Sequence, residues 1–162
     1  MLGRLALVLA AGLIFLSDAV YAATTTTTFT VQITITASCT INSASTLNFG
    51  SQGVLTANVD QTSTIQVQCT NTTPYNIGLN AGTGTGATVA ARKMTNGANT
   101  VNYALYSDSG RTTVWGNTVG TDTVAATGNG AAQSYTAYGR VPPQTTPAPA
   151  VYTDTITVTV TY

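Results

Sequence analysis

Two stretches of the chain alternate apolar and polar side chains without a fault. From position 29 the order is Phe-Thr-Val-Gln-Ile-Thr-Ile-Thr-Ala-Ser-Cys, which puts Phe29, Val31, Ile33, Ile35, Ala37 and Cys39 in one phase. Positions 152–162 follow the same scheme, with Ile156, Val158, Val160 and Tyr162 facing one way and Thr155, Thr157, Thr159 and Thr161 the other. Successive side chains leave a strand on opposite faces, so a period of two predicts half-buried strands. A third is predicted over 62–69, where Ile65, Val67 and Cys69 oppose Thr64, Gln66 and Gln68. Shorter strands are predicted at 47–49, 75–79, 88–94, 101–107, 113–115 and 133–141. Turn residues cluster between them at 50–53, 71–74, 82–86, 108–110 and 127–130, and Asn96-Gly97 reads as a hairpin turn. Pro142, Pro143, Pro147 and Pro149 keep the stretch before the last strand out of any central ladder. Short strands at this spacing, with no helical period, predict an all-β sandwich, Ig-like in the broad sense.

Composition sharpens the picture. Of 162 residues, 35 are Thr, which favours strands, and only 6% are charged. Five basic and five acidic residues cancel, which argues against electrostatic capture of nucleic acid or acidic lipid. The first 22 residues carry Arg4, an apolar run over 5–16 and small residues up to Ala22, the pattern of a secretory signal peptide cleaved after Ala22. The run is too short to span a bilayer. Two cysteines, Cys39 and Cys69, remain in the exported part, and both lie in the inward phase of their strands. One disulfide bridging the core is the simplest expectation, since a two-Cys metal site would lack further ligands.

Candidate chemistry is sparse. There is no His and no Glu, so the commonest general bases and metal ligands are missing, and no Gly-x-Ser-x-Gly elbow occurs. No enzyme activity, metal or cofactor is expected. Gly82-Thr-Gly-Thr-Gly86 lacks the helix and the Gly-Lys-Ser/Thr ending of a phosphate loop and reads as a turn. Asn71-Thr72-Thr73 matches a glycosylation acceptor, a pattern a Thr-rich chain meets by chance. Asp108 and Arg111 are placed to pair around a turn, and Arg92-Lys93 reads as a solvated patch. Trp115 with Tyr103 and Tyr106 could stack sugars, which defines the main alternative function, a monomeric carbohydrate-binding module; the bland reading is that they fill the core.

The informative oddity lies in the two alternating stretches. Neither 29–38 nor 155–162 contains a Lys, Glu, Asp or Pro, the residues that usually protect a sheet edge from pairing with another chain. Such a strand suits β-augmentation of a second subunit, the plain alternative being an ordinary strand of its own sandwich. The final stretch would then leave its own edge uncovered.

These residues resemble a known family. Ala-Ser-Cys39, Leu47-Asn-Phe-Gly50, Ile65-Gln-Val-Gln-Cys69, Tyr103-Ala-Leu-Tyr106-Ser-Asp108 and Tyr152-Thr-Asp154-Thr, in this order after a signal peptide and an alternating extension, are similar to the spore coat protein U domain. That family includes major pilins of archaic, Csu-type chaperone-usher pili. The resemblance implies an incomplete Ig-like β-sandwich that lacks its last strand and is completed by a donor strand from a neighbouring subunit or a chaperone. It divides the chain into a signal peptide (1–22), an N-terminal donor extension (23–38) and the pilin-like domain (39–162). Phe29, Val31, Ile33, Ile35 and Ala37 would be the donor residues; Ile156, Val158, Val160 and Tyr162 would line the acceptor groove. The implied partners are like subunits, a periplasmic chaperone and an outer-membrane usher. The implied destination is a surface fibre that supports adhesion and biofilm growth, or a coat of the same fold. A distal adhesin would need a second domain, so a shaft subunit is expected.

Overall fold

The computed structural model describes residues 20–162, so all but the end of the expected signal peptide lies outside the described residues. Two units, Met1–Thr34 and Ile35–Tyr162, make up the chain. In the first, residues 20–34 form no strand, and Phe29, Val31 and Ile33 are 87%, 83% and 82% exposed. The alternation predicted there is present, but no strand forms over 29–38 and only Cys39, at its end, enters a ladder, because an extended segment becomes a strand only when its N–H and C=O groups find a neighbour.

The second unit is an incomplete Ig-like sandwich of eight antiparallel strands: β1 (Cys39–Ala44), β2 (Val59–Cys69), β3 (Pro74–Leu79), β4 (Arg92–Asn96), β5 (Asn99–Tyr106), β6 (Val124–Thr127), β7 (Ala132–Val141) and β8 (Val158–Thr161). One sheet has the order β1-β2-β7-β5-β4 and the other β6-β3-β8. Ile65, Val67, Cys69, Ala137 and Val141 of the larger sheet join Tyr75, Ile77 and Leu79 of the smaller in one core. The expected hairpin forms between β4 and β5, with Asn96 opposite Asn99 and Gly97 at φ +57°.

Several predicted strands are shorter or absent. Positions 47–49 join no ladder, 88–91 makes a single bridge, 113–115 touches Tyr106 through Val114 alone, and 152–157 is unladdered apart from a Thr95–Thr153 bridge. β6 was not anticipated: four residues carry too little periodicity to read. In each case the local pattern is compatible with a strand, and the position of neighbouring backbone decides whether a ladder forms.

Cys39 and Cys69 are bonded, as expected, but not across the core. They stand directly opposite each other on adjacent strands β1 and β2, so the bridge runs along one sheet and closes a loop with a sequence separation of 30. The chain-entropy argument assigns such a loop about 3–4 kcal/mol. Replacing both residues by Ser is expected to lower stability by about that amount, read as a shift in the urea midpoint.

Charged side chains hold turns and registers. Asp60 and Arg140 face each other on β2 and β7 and form a bidentate pair with both contacts at 2.8 Å, joined by Arg111 at 3.3 Å. Arg111 therefore pairs with Asp60 rather than with Asp108 as expected, and its guanidinium lies over the Tyr138 ring. Asp108 instead accepts from the backbone N–H of Thr112 and of Thr113, closing its own turn. The Arg140 hydrogen bond, with the fields of Arg111 and Arg140, holds the Asp60 carboxyl below the usual carboxylate range despite some desolvation. A depressed folded-state pKa stabilises above the unfolded value near ~3.9 and is lost as pH falls through the folded value. Stability is expected to fall on acidification below about pH 4 with a component that Asp60→Asn removes, worth under about 1 kcal/mol because the pair is partly solvated; thermal midpoints from pH 5 to 2 for both proteins read it.

Arg92 overturns the expectation of a solvated patch, for it is 0% exposed. Its guanidinium donates to the carbonyls of Asn80 (2.8 Å), Val89 (2.7 Å), Leu79 (3.0 Å) and Trp115 (2.7 Å). A side chain rooted in β4 of one sheet thereby satisfies backbone at the end of β3 in the other. Burial pushes its pKa down, opposed by the fields of Tyr103, Asp154 and Asp122.

Candidate functional site: an open cleft at the sandwich edge

β8 is hydrogen-bonded to β3 on one side and, among the described residues, to no strand on the other. β1 is an edge of the larger sheet and lies near β8 without pairing with it. The sandwich stands open nearby in a cleft of about 960 Å³. One wall is the stretch leaving β1, residues 44–53; the other is 146–156, leading into β8. Its lining includes Ile65, Leu79, Tyr103, Leu105 and Ala137, which belong to the core itself. An apolar opening beside the core is a candidate interaction site.

The walls hold their shape without ladders. Leu47 and Phe49 lie against β7 at Gly139, where a Cβ would come within 2.7 Å of Leu47 Cδ1 and 3.0 Å of Phe49 Cζ. Asn48 Oδ1 accepts from Gly50 N at 2.8 Å, and Phe49 meets the Tyr103 ring edge-on with centroids 6.2 Å apart. This is the physical content of Leu47-Asn-Phe-Gly50: two apolar residues on a bare glycine, turned by an Asn. On the other wall, Gln144 exchanges two hydrogen bonds with the backbone of Asn102, both at 2.9 Å, and Leu55 N donates to Thr146 Oγ1 at 2.8 Å. Side chains supply the partners that prolines deny to a ladder.

Ile156 and Val158 line the cleft. Val160 packs on the core beside it, and Tyr162 is 60% exposed. Ile35, at 73% exposure, and Ala37 continue the exposed run of Phe29, Val31 and Ile33 up to β1. The sequence pattern did not reveal Leu47, Phe49 and Tyr103 as cleft residues, although each stands in a motif that carries the family resemblance.

Trp115 and Tyr103 do not form a sugar platform. Trp115 is 1% exposed, its indole N–H donating to Ile77 O at 2.8 Å, and Tyr103 is 5% exposed. An aromatic face must be open to stack on a sugar ring, and these fill the core. The Tyr103 hydroxyl donates to Asp154 Oδ2 at 2.8 Å, and burial first, then this bond, pushes its pKa up, away from neutrality. What the cleft offers is shape, apolar surface and an unpaired strand edge.

The spore coat protein U domain model matches residues 25–159, and the chain belongs to that family. It is 36% identical over 129 residues to Protein U of Myxococcus xanthus, covering 72% of each chain. Its fold is similar to that of a chain in the CsuC–CsuE chaperone–tip adhesion subunit pre-assembly complex of archaic chaperone-usher Csu pili of Acinetobacter baumannii, with a TM-score of 0.59 at 20% identity. That match covers 80% of this chain, which spans 41% of the other. This is a structural, non-enzymatic family, which sets an enzyme role aside.

Proposed function

We propose that this chain is a structural subunit of a chaperone-usher surface fibre that polymerises by donor-strand exchange, residues 23–38 of one subunit completing the sandwich of the next. The observation that carries this reading is a complementary pair within one sequence: a cleft open to the core beside an unpaired β8 edge, and an exposed, charge-free alternating extension. In the cleft, Phe29, Val31, Ile33 and Ile35 would bury their side chains against Ile156, Val158 and the core, with Ala37 the smallest contributor, while the donor backbone pairs with β8. Val160 and Tyr162 extend the acceptor strand. Four large side chains at about 1.5–3 kcal/mol each give an upper bound of about 6–12 kcal/mol before ordering costs.

Donation in trans is favoured by the chain itself. Ser38 alone separates Ala37 from Cys39, and antiparallel strands need a loop of at least two residues. A tight hairpin of the segment on β1 is thereby excluded. Before assembly the cleft would need a periplasmic chaperone, consistent with the fold's likeness to a chain of a chaperone–subunit complex, and an outer-membrane usher would join subunits. The signal peptide, export through the periplasm, a cell-surface fibre, and its service in adhesion and biofilm growth belong to the same proposal. The family's description as a spore coat protein U domain supports a second reading, a coat assembled by the same exchange.

Residues 23–162, recovered from the periplasm with and without a chaperone, are expected to run as heat-sensitive ladders on unheated denaturing gels. A stable monomer without a chaperone would sink the proposal.

A further inference from the structure

The last strand has a register problem that its own pattern does not solve. Residues 155–161 read Thr-Ile-Thr-Val-Thr-Val-Thr, so a shift of two returns a β-branched apolar residue to each inward position and Thr to each outward one. A one-residue slip would turn the apolar face outward and is opposed by burial, whereas a two-residue slip is not. β8 pairs with β3 over only four residues, from Asn76 opposite Thr161 to Leu79 opposite Val158.

Asp154 breaks the repeat. It stands half-buried in the inward phase, where the chain crosses from one sheet to the other: Thr153 exchanges two backbone hydrogen bonds with Thr95 of β4, and Val158 opens β8 on β3. Its Oδ1 accepts from Thr83 N at 2.7 Å and Thr83 Oγ1 at 2.9 Å, while Oδ2 accepts from Tyr103 Oη at 2.8 Å. The seat fits one carboxylate. Gly82 holds φ +83°, and a Cβ there would collide with Asp154 Oδ2, so position 82 must be Gly on both counts. Asn80 fixes the next step, its N–H donating to Thr157 O at 3.2 Å and its Oδ1 accepting from Thr157 N at 2.9 Å.

We propose that Asp154 is a positioning residue that locks the acceptor strand in one register, with Thr83 and Tyr103 as its seat. Ile156 and Val158 then meet the cleft at fixed depths, and an incoming alternating strand, itself nearly self-similar under a two-residue shift, finds a single frame. The consequence for assembly rests on the donor-strand reading; the lock is a property of the subunit and is tested without assembly.

Paired cysteines read the register on the outward face, away from the core. Asn76→Cys with Thr161→Cys reports the register of the structure, and Asn76→Cys with Thr159→Cys reports a two-residue slip; peptide mapping separates both products from the native Cys39–Cys69 bond. With Asp154 intact, the first pair is expected to cross-link and the second to give only a trace. Asp154→Ala is expected to raise the slipped product about tenfold or more, since the three charge-assisted hydrogen bonds from Thr83 and Tyr103 are lost together with the local one from Thr155 N. Asp154→Asn, which keeps a carbonyl oxygen for Thr83, should fall between. A slipped product that stays at its starting level in Asp154→Ala overturns the proposal, whatever the melting temperature does, because a merely structural role would lower stability without moving the cross-link. If that variant does not fold, Thr83→Ala with Tyr103→Phe keeps the carboxylate and removes two of its donors, and an unchanged slipped product there overturns it equally. Ladders on unheated gels judge the donor-strand reading separately.

Discussion

Ile33→Asp is expected to abolish the heat-sensitive ladders while leaving the subunit's own stability unchanged. Ile33 is 82% exposed, so the subunit loses no packing when it is replaced. In the proposed junction the same side chain enters an apolar cleft lined by Leu79, Tyr103 and Leu105. The substitution forfeits about 1.5–3 kcal/mol of burial and adds several kcal/mol for desolvating a carboxylate without a partner. A combined loss above about 5 kcal/mol is more than a thousandfold in a junction's equilibrium constant. The measurement is a pair: gel ladders for assembly, and urea unfolding of the chaperone-released subunit for stability. If Ile33→Asp destabilises the isolated subunit, residues 29–37 serve as an ordinary strand of its own sandwich, and the donor reading falls. Thr34→Asp, in the opposite phase, should be tolerated far better, because alternate positions of a donor strand face away from the cleft.

Arg92→Ala is expected to be the most destabilising single substitution among the charged residues of the sandwich. Four carbonyl oxygens would lose their donor at once, those of Leu79 and Trp115 in a buried site and those of Asn80 and Val89 in a partly buried one. Unsatisfied buried groups cost about 1–3 kcal/mol each, and relaxation recovers part of this, so a loss of about 3–5 kcal/mol is expected. Arg92→Lys should recover little, since one ammonium cannot span acceptors arranged around a planar fork. Lys93→Ala is the control. Its ammonium makes one exposed hydrogen bond, to Thr85 O at 3.2 Å, and its removal should cost less than about 1 kcal/mol. Urea midpoints of the three variants decide the matter, and equal costs for Arg92→Ala and Lys93→Ala would show that the carbonyl cluster does not depend on the guanidinium.

The contrast between these neighbours shows what reading along the chain can reach. Arg92 and Lys93 are adjacent and alike in charge, and nothing local marks one for the interior. Arg92 is buried because β4 aims it at the end of β3, where backbone carbonyls of the other sheet lack donors. Trp115 is similar: its surroundings in sequence are compatible with a surface platform, and only the tertiary core buries it, with its indole N–H on Ile77 O. Asp108 and Arg111 sit three apart, yet the turn bends the carboxylate onto backbone N–H groups and sends the guanidinium to Asp60.

What the sequence determined by itself were properties carried by period and chemical type. Alternation at 62–69 placed β2 and its inward face, and the shorter candidates at 75–79 and 133–141 placed β3 and β7. Two cysteines in the inward phase gave the disulfide, and the uncharged alternating stretches at 29–38 and 155–162 marked both candidates for pairing between chains. Tertiary structure alone decided which alternating stretches acquire neighbours. Among the described residues, 29–34 pair with no strand and 158–161 with one, because hydrogen-bonding partners are supplied by distant segments. It also decided that the core stays open beside β8, between walls from 44–53 and 146–156 whose sequences look irregular. A cleft is the space left between segments far apart in sequence, and no local pattern records it.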